Sequence, residues 1–275
     1  MKSEEQVAGH YTRGGLAETI LQALARLGKD PDHIAAEDLA AVDEFHVGGI
    51  EATQALAEQM ELKPGMRLLD VGSGLGGPAR YFAGQQGCKV TGIDLTEEFV
   101  NAAKRLTQVV KLDHLVDFRQ GSALQMPFET NTFDRACMIH VGMNIADKAG
   151  VYQEVRRVLK PGGLFVVFDI LRIGTGAIQY PVPWAMSEET SFVADMRQYA
   201  HALETSGFKI ERERRRGAFG IEFTQRVVAR LAEGGPPALG LHLLMGEKTP
   251  LMIKNILAGM EQGVMEPVEI FARAA

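Results

Sequence analysis

The chain has 275 residues with a formal net charge of −6, 46% hydrophobic and 23% charged residues, enough to bury one full core together with a lid or small subdomain. The acidic balance argues against nucleic acid or an anionic membrane surface as the main partner, and the two isolated cysteines, Cys88 and Cys137, exclude a disulfide framework and a Cys-x-x-Cys zinc site. No basic segment followed by an apolar run opens the chain and no stretch of about 20 apolar residues occurs, so the expectation is a cytoplasmic protein with no membrane span.

Residues 3–61 carry helical periodicity, with Leu16, Ile20, Leu24 and Leu27 at spacings of three and four and a break at Gly48-Gly49. They predict a helical N-terminal cover. Leu68 to Val71 is an apolar strand that runs into Gly72-Ser73-Gly74-Leu75-Gly76-Gly77-Pro78 and then into a helix. Further strands are expected at 89–94, 116–120 and 134–139, with helices at 97–110 and about 149–159 between them. Lys160-Pro161-Gly162-Gly163 reads as a turn before a buried strand at 164–170. This alternation predicts an α/β fold with a doubly wound, Rossmann-like, mostly parallel sheet.

After it, Gly174, Gly176, Pro181 and Pro183 with Tyr180 and Trp184 make an irregular stretch, and loops after strand ends line the ligand crevice in such sheets. A helix is expected near 191–205, a strand at 208–213, mostly helical chain over 221–262 with a break at Gly234 to Pro237, and a last strand at 266–272. The run Arg212, Arg214, Arg215 and Arg216 is the only candidate basic patch, and its alternation with Glu211 and Glu213 reads as a solvated strand edge or loop. The expected division is a cover over 1–61, a cofactor core over 62–172, and 173–275 supplying the remaining strands and substrate-cap insertions, all in one integrated domain.

The glycine turn carries the chemistry. Glycines allow positive φ and close approach of a ligand, and the next helix presents free N–H groups there. Asp70, at the mouth of the turn, would repel a pyrophosphate but suits the cationic amino-acid end of S-adenosylmethionine. Gly72-x-Gly74-x-x-Gly77 also fits the dinucleotide pattern, so an NAD-dependent oxidoreductase stays open on this motif, as does a noncatalytic cofactor-binding module.

Four motifs in order, Asp70-x-Gly72-x-Gly74-x-Gly76-Gly77, Thr91-Gly92-Ile93-Asp94-Leu95, Met126-Pro127-Phe128 before Phe133-Asp134, and Arg157-Val158-Leu159-Lys160-Pro161-Gly162-Gly163, give the chain a wider likeness. Over about residues 45–172 it resembles the class I S-adenosylmethionine-dependent methyltransferases, in particular the small-molecule branch that includes quinone, tocopherol and glycine-derived amine methylating enzymes. Phe45-His46-Val47-Gly48-Gly49 and Met143 to Lys148 look like the same branch. The resemblance implies a seven-stranded sheet with an antiparallel strand at the edge, helical insertions forming a cap, and S-adenosylmethionine across the carboxyl ends of the first four strands, with S-adenosylhomocysteine as product. It implies a cofactor site of Asp70, Gly72, Ser73, Gly74, Gly76, Asp94, Leu95, Ser122, Ala123 and His140. In it Asp94 accepts the ribose hydroxyls, Asp70 meets the amino-acid end, and Ser122-Ala123 sits where the family holds adenine, although many relatives have an acidic acceptor in place of Ser122.

Methyl transfer is an in-line displacement at an activated carbon, so alignment and exclusion of water matter more than supplied chemistry. His140, directly after the fourth strand, reads either as a proton acceptor or as a pocket wall. His46, Asn144, Tyr180 and Trp184 are the candidate substrate residues, with Tyr11 and Phe45 as further aromatic faces for a cation. Asp169 either steers a cationic substrate or caps its loop. His10, His33, His114, His201 and His242 make no ligand spacing, so no metal is expected. The preferred acceptor is a small-molecule amine nitrogen, with a carbon or oxygen of a quinol or phenol as the alternative.

Overall fold

The computed structural model describes residues 14–275; Tyr11 and His10 lie outside them. Helix α1 (Leu16–Arg26) buries Leu16, Ile20 and Leu24 of the expected stripe, together with Ala23, whereas Leu27 lies just past the helix end and is exposed. Short α2 (Ala40–Asp43) and then α3 (Gly49–Ala57) follow, α3 starting after Gly48, whose φ of 97° makes it the break that the sequence announces. These helices form the cover, whose Leu16, Ile20, Leu39 and Val42 pack with Phe99 and Leu106 of a sheet-flanking helix.

The sheet has seven strands in the order β3-β2-β1-β4-β5-β7-β6. They are β1 (Arg67–Val71), β2 (Lys89–Asp94), β3 (Val116–Gln120), β4 (Phe133–Ile139), β5 (Leu159–Arg172), β6 (Phe208–Arg215) and β7 (Met265–Ala274). Helices α4 (Gly77–Gln86), α5 (Glu97–Val109) and α6 (Lys148–Val158) make the parallel crossovers, α7 (Met196–Thr205) precedes β6, and α8 (Gly217–Gly234), α9 (His242–Met245) and α10 (Thr249–Glu261) separate β6 from β7. From β1 the chain winds outward to β3 and then returns to β4 on the other side of β1, so the direction of winding reverses between β1 and β4. A crevice opens at the carboxyl ends of strands at such a reversal. Asp70 stands at that place, paired in register with Gly92 of β2 and Cys137 of β4.

Two expectations are corrected. The antiparallel strand is not at the edge: β7 lies between β5 and β6 and runs antiparallel to both. Its side chains are almost all buried, which suits a strand paired on both sides, whereas β6 alternates exposed Glu and Arg and suits an edge. Lys160 to Gly163 is not a separate turn but an irregularity inside β5, where the register with β4 shifts between Phe133 and Arg135.

The arginine run is occupied by the protein itself. Arg214 and Arg216 pair with the fully buried Glu269 at 3.2 and 3.1 Å, Arg215 pairs with Glu266, and Arg212 lies over the Phe271 ring. No helix among the described residues is long and apolar enough to cross a membrane. Both cysteines are buried and free.

Candidate active site

The turn after β1 is held from inside. Gly72 and Ser73 donate their N–H groups to the Ile93 carbonyl at 2.7 and 3.1 Å, Gly74 donates to Asp94 Oδ2 at 2.8 Å, and Gly76 donates to the Ser73 carbonyl at 2.8 Å. A turn whose amides are spent on its own acceptors is not a nest for a pyrophosphate. Gly72 and Gly74 have φ of 72° and 52°; a Cβ on Gly72 would overlap Val141, and one on Gly74 would stand 2.8 Å from the Phe45 ring. The cover therefore closes directly over the turn.

Two cavities adjoin there and share Phe45, Gly72, His140 and Val141. The first, of about 1010 Å³, reaches Gly74, Asp94, Leu95, Ser122, Ala123 and Asn144. The second, of about 960 Å³, reaches Asp70, Ser73, His46 and Trp184 and is otherwise walled mostly by apolar side chains of the cover, β4, β5 and the helices α8 to α10. Of the site residues expected from sequence, two are in neither cavity. A Cβ on Gly76 would overlap the Phe118 ring, so this glycine serves the packing of α4 on β3. Tyr180 packs beside Val182 and Trp184 against the cap, because the Val182 to Ala185 bridge folds this loop so that Trp184 faces the second cavity.

Asp94 ends β2 with both oxygens engaged, Oδ1 by the Thr96 N–H at 2.9 Å and Oδ2 by the Gly74 N–H. A carboxylate oxygen accepts more than one hydrogen bond, so each keeps capacity for a ribose hydroxyl. Burial raises the Asp94 carboxyl above its usual range. Ser122 Oγ accepts from the Leu124 N–H at 3.1 Å, which fixes the loop at the far end of this cavity. Asn144 does not spend its amide on the cavity: Nδ2 donates to the Trp184 carbonyl at 2.7 Å.

Asp70 is 2% exposed, and burial pushes its carboxyl up to about 7. Its Oδ1 accepts from the Cys137 thiol at 3.5 Å, while Oδ2 has no partner among the described residues. Ser73 Oγ and His140 Nε2 are likewise buried without partners. Buried polar atoms left open cost roughly 1–3 kcal/mol each unless something meets them. A carboxylate, a hydroxyl and an imidazole nitrogen left open around one glycine turn match a ligand with an ammonium and neighbouring polar groups, so the residues fit S-adenosylmethionine.

His140 has φ of 54° and its ring lies 4.8 Å from that of Phe168 and 5.8 Å from that of His46. The Val47 N–H donates to its Nδ1 at 3.3 Å, which leaves the ring proton on Nε2. Burial holds its pKa well below the usual histidine value, so the ring is neutral. Asp169 is spent on structure: Oδ1 accepts from the Val141 N–H at 2.9 Å, Oδ2 accepts from the Gly142 N–H at 3.1 Å and from the Tyr199 hydroxyl at 2.8 Å. It caps the loop after β4.

Sequence reading missed a group in the cover. His46 Nε2 lies 3.3 Å from Thr53 Oγ1, whose hydroxyl donates to Glu44 Oε2 at 2.6 Å. Next to it Asp43 pairs with Arg80 at 2.6 Å, and Arg80 also donates to the Leu75 carbonyl and Thr107 Oγ1. The only signal was the presence of Asp43, Glu44 and Thr53 among apolar helical residues, which names no partner. No cluster of three or more metal-ligating side chains occurs among the described residues.

Residues 69–167 match the family model described as Methyltransferase domain. Sterol 24-C-methyltransferase ERG6B of Gibberella zeae is 42% identical over 116 residues, which are 42% of this chain and 30% of that protein. The chain spans about a third of the length of the curated relatives it matches. Among solved structures, geranyl diphosphate C-methyltransferase from Streptomyces coelicolor A3(2) superposes with a TM-score of 0.71 at 18% identity, over 100% of this chain and 98% of that one. The [4+2]-cyclase SpnF superposes with a TM-score of 0.67 at 23% identity, over 95% and 94%. The segment 69–167, which holds the glycine turn, Asp94 and His140, is thus a methyltransferase domain set in the sheet of the class I S-adenosylmethionine-dependent fold.

Proposed function

We propose that this chain is an S-adenosylmethionine-dependent methyltransferase acting on a small, largely apolar and uncharged acceptor, with carbon as the methylated atom. The observation that carries the reading is the second cavity: it adjoins the glycine turn, its walls are mostly apolar, and none of its lining residues is a lysine or arginine. A phosphate-bearing acceptor would lack a counter-charge there. Of the aromatic faces expected to meet a cationic amine, Tyr180 lies outside the cavity, whereas Phe45 and Trp184 line it. Carbon gains support from the sterol C-methyltransferases among the relatives.

When bound, the cofactor supplies a methyl group already activated by a sulfonium. Asp94 and Leu95 would receive the ribose, Ala123 the adenine edge, and Asp70 with Ser73 the amino-acid end. His140 would offer Nε2–H where the two cavities meet. Phe45, Val141 and the apolar walls exclude water, which keeps the activated methyl from hydrolysis and holds the acceptor in line.

The test is S-adenosylhomocysteine release by the purified full chain with isoprenoid and sterol alkenes, quinols, phenols, and glycine- or ethanolamine-derived amines, with calorimetry for S-adenosylmethionine and NADH. Release with the alkenes is expected. Release with amines alone would overturn the carbon assignment, and cofactor binding with no release from any acceptor would leave a binding module or another reaction on the same fold. NADH binding without S-adenosylmethionine binding would overturn the whole reading.

A further inference from the structure

A neutral acceptor that takes a methyl group from a sulfonium is left with one proton too many, and the apolar second cavity has few groups to receive it. We propose that His46 is the proton acceptor of the transfer, taking the proton on Nδ1 while Thr53 and Glu44 hold the ring from behind. This rests on the methyltransferase reading above.

The second cavity is lined by four titratable side chains: Asp43, His46, Asp70 and His140. Three are committed. Asp43 is in the buried ion pair with Arg80. Asp70 stands at the glycine turn, where the ammonium of the cofactor belongs. His140 spends its one lone pair on the Val47 N–H, so a proton could enter that ring only by breaking this bond.

His46 is arranged the other way round. Its Nε2 faces Thr53 Oγ1 at 3.3 Å and Glu44 Oε2 at 3.7 Å. Because the Thr53 hydroxyl donates to Glu44, its oxygen is left to accept, which assigns the ring proton to Nε2. Nδ1 then carries the lone pair, and a hydrogen bond with the Gly49 backbone also reaches the ring and favours its protonated form. A base whose far nitrogen is oriented by a hydrogen-bonded carboxyl group has the logic of a catalytic triad without the nucleophile. Here the carboxyl group acts through an intervening hydroxyl.

In an alkene acceptor the π electrons form the bond to the methyl carbon as the carbon–sulfur bond breaks, and that bonding pair stays on sulfur. A C–H bond beside the electron-deficient carbon then breaks, its electrons restore a double bond, and its proton goes to His46 Nδ1. Burial holds His46 down to about 4, so the ring is a free base at neutral pH. A base this weak is adequate for a proton next to a carbocation and poorly matched to a resting phenol. Burial and the Asp43 carboxyl hold Glu44 well above its usual range, and an imidazolium formed 3.7 Å away favours its ionised form.

The experiment compares wild type with His46→Ala, His46→Gln and His140→Asn in full-length protein, reading S-adenosylhomocysteine release with the acceptor that is active in wild type and S-adenosylmethionine affinity by calorimetry. Both His46 variants are expected to lose at least 100-fold in kcat with cofactor affinity kept within about threefold, since a general base contributes roughly 10²–10⁴. Added imidazole is expected to restore turnover to His46→Ala and not to His140→Asn, a response that a merely structural role would not give. Thr53→Val is expected to lower kcat about tenfold at unchanged cofactor KM and to shift the ¹⁵N resonances of His46. His46 variants with wild-type kcat, or an Nδ1 resonance of a protonated nitrogen in the wild type, would overturn the assignment while the methyltransferase reading stands. A wild type that releases no S-adenosylhomocysteine with any acceptor would overturn both.

Discussion

The backbone N–H of Val47 donates to Nδ1 of His140 across 93 residues of sequence, so the N-terminal cover sets the tautomer of the ring that ends β4. The ring then meets the cavities as a donor. His140→Asn is the informative variant, because asparagine tolerates the left-handed backbone that His140 adopts at φ of 54°. It is expected to weaken S-adenosylmethionine binding about fivefold, the loss of one hydrogen bond worth about 1 kcal/mol. Turnover at saturating cofactor is expected to fall less than tenfold. Calorimetry and S-adenosylhomocysteine release separate the two, and a 100-fold loss of turnover at unchanged affinity would make the ring the base.

Asp70 gives a prediction in pH. An unfolded aspartate loses its proton near 3.8, whereas burial keeps the folded Asp70 protonated up to about 7. The folded state therefore binds more protons in that window, and the stability that Asp70 contributes is present at low pH and lost as pH rises through about 7. Asp70→Asn removes the buried charge. At pH 8 the variant is expected to be the more stable protein, by something on the order of 2–4 kcal/mol at about 1.4 kcal/mol per pKa unit. Cofactor affinity is expected to move oppositely: it falls in wild type as pH drops below about 7, and is weak and nearly flat in Asp70→Asn. Thermal melts at pH 5 and 8 with titrations across the same range check both signs.

What was legible in the sequence was local. The apolar strand, the glycines and Asp94 about 20 residues on form one strand–turn–helix–strand unit, and short-range geometry is enough to place them around a ligand. The rank of β7 between β5 and β6 was not, because strand order is decided by which surfaces need burying on both sides. His140, which follows β4 directly, lines both cavities, but the Val47 amide that fixes its tautomer comes from a distant loop. Glu44, His46 and Thr53 fall at spacings that signal no motif, and the turn that leads into α3 brings them into one network. Tyr180 and Trp184 looked alike as loop aromatics, and a two-residue bridge between Val182 and Ala185 separates their fates.

Gly74 and Gly76 look equivalent in the motif and should fail differently. Gly74→Ala puts a methyl against Phe45 at the first cavity, and Gly76→Ala puts one into the Phe118 ring between α4 and β3. Both residues have positive φ, which costs alanine about 1–2 kcal/mol. Gly76→Ala is expected to lose a further 1–3 kcal/mol of stability from overpacking, with cofactor affinity in the surviving folded protein near wild type. Gly74→Ala is expected to lose cofactor affinity at least tenfold, because Phe45 must give way into the cavity. Denaturant melts and calorimetry on the same preparations distinguish them.

Asn144 links the two cavities without facing the acceptor. It lines the first cavity, yet its Nδ2 donates to the carbonyl of Trp184, whose ring is a wall of the second. Trp184 is 4% exposed, and its indole N–H donates to Ser191 Oγ at 3.0 Å, so the loop is held at both the backbone and the ring. Asn144→Ala leaves the Trp184 carbonyl without its partner, at a cost of about 1–3 kcal/mol. The expected result is a lower melting temperature and a several-fold rise in acceptor KM, with kcat and cofactor affinity changed less than threefold. Trp184→Phe keeps the backbone link but loses the Ser191 bond, and should raise acceptor KM with a smaller loss of stability. If Asn144→Ala instead raised the Kd for S-adenosylmethionine and left acceptor KM unchanged, the residue would belong to the cofactor side alone.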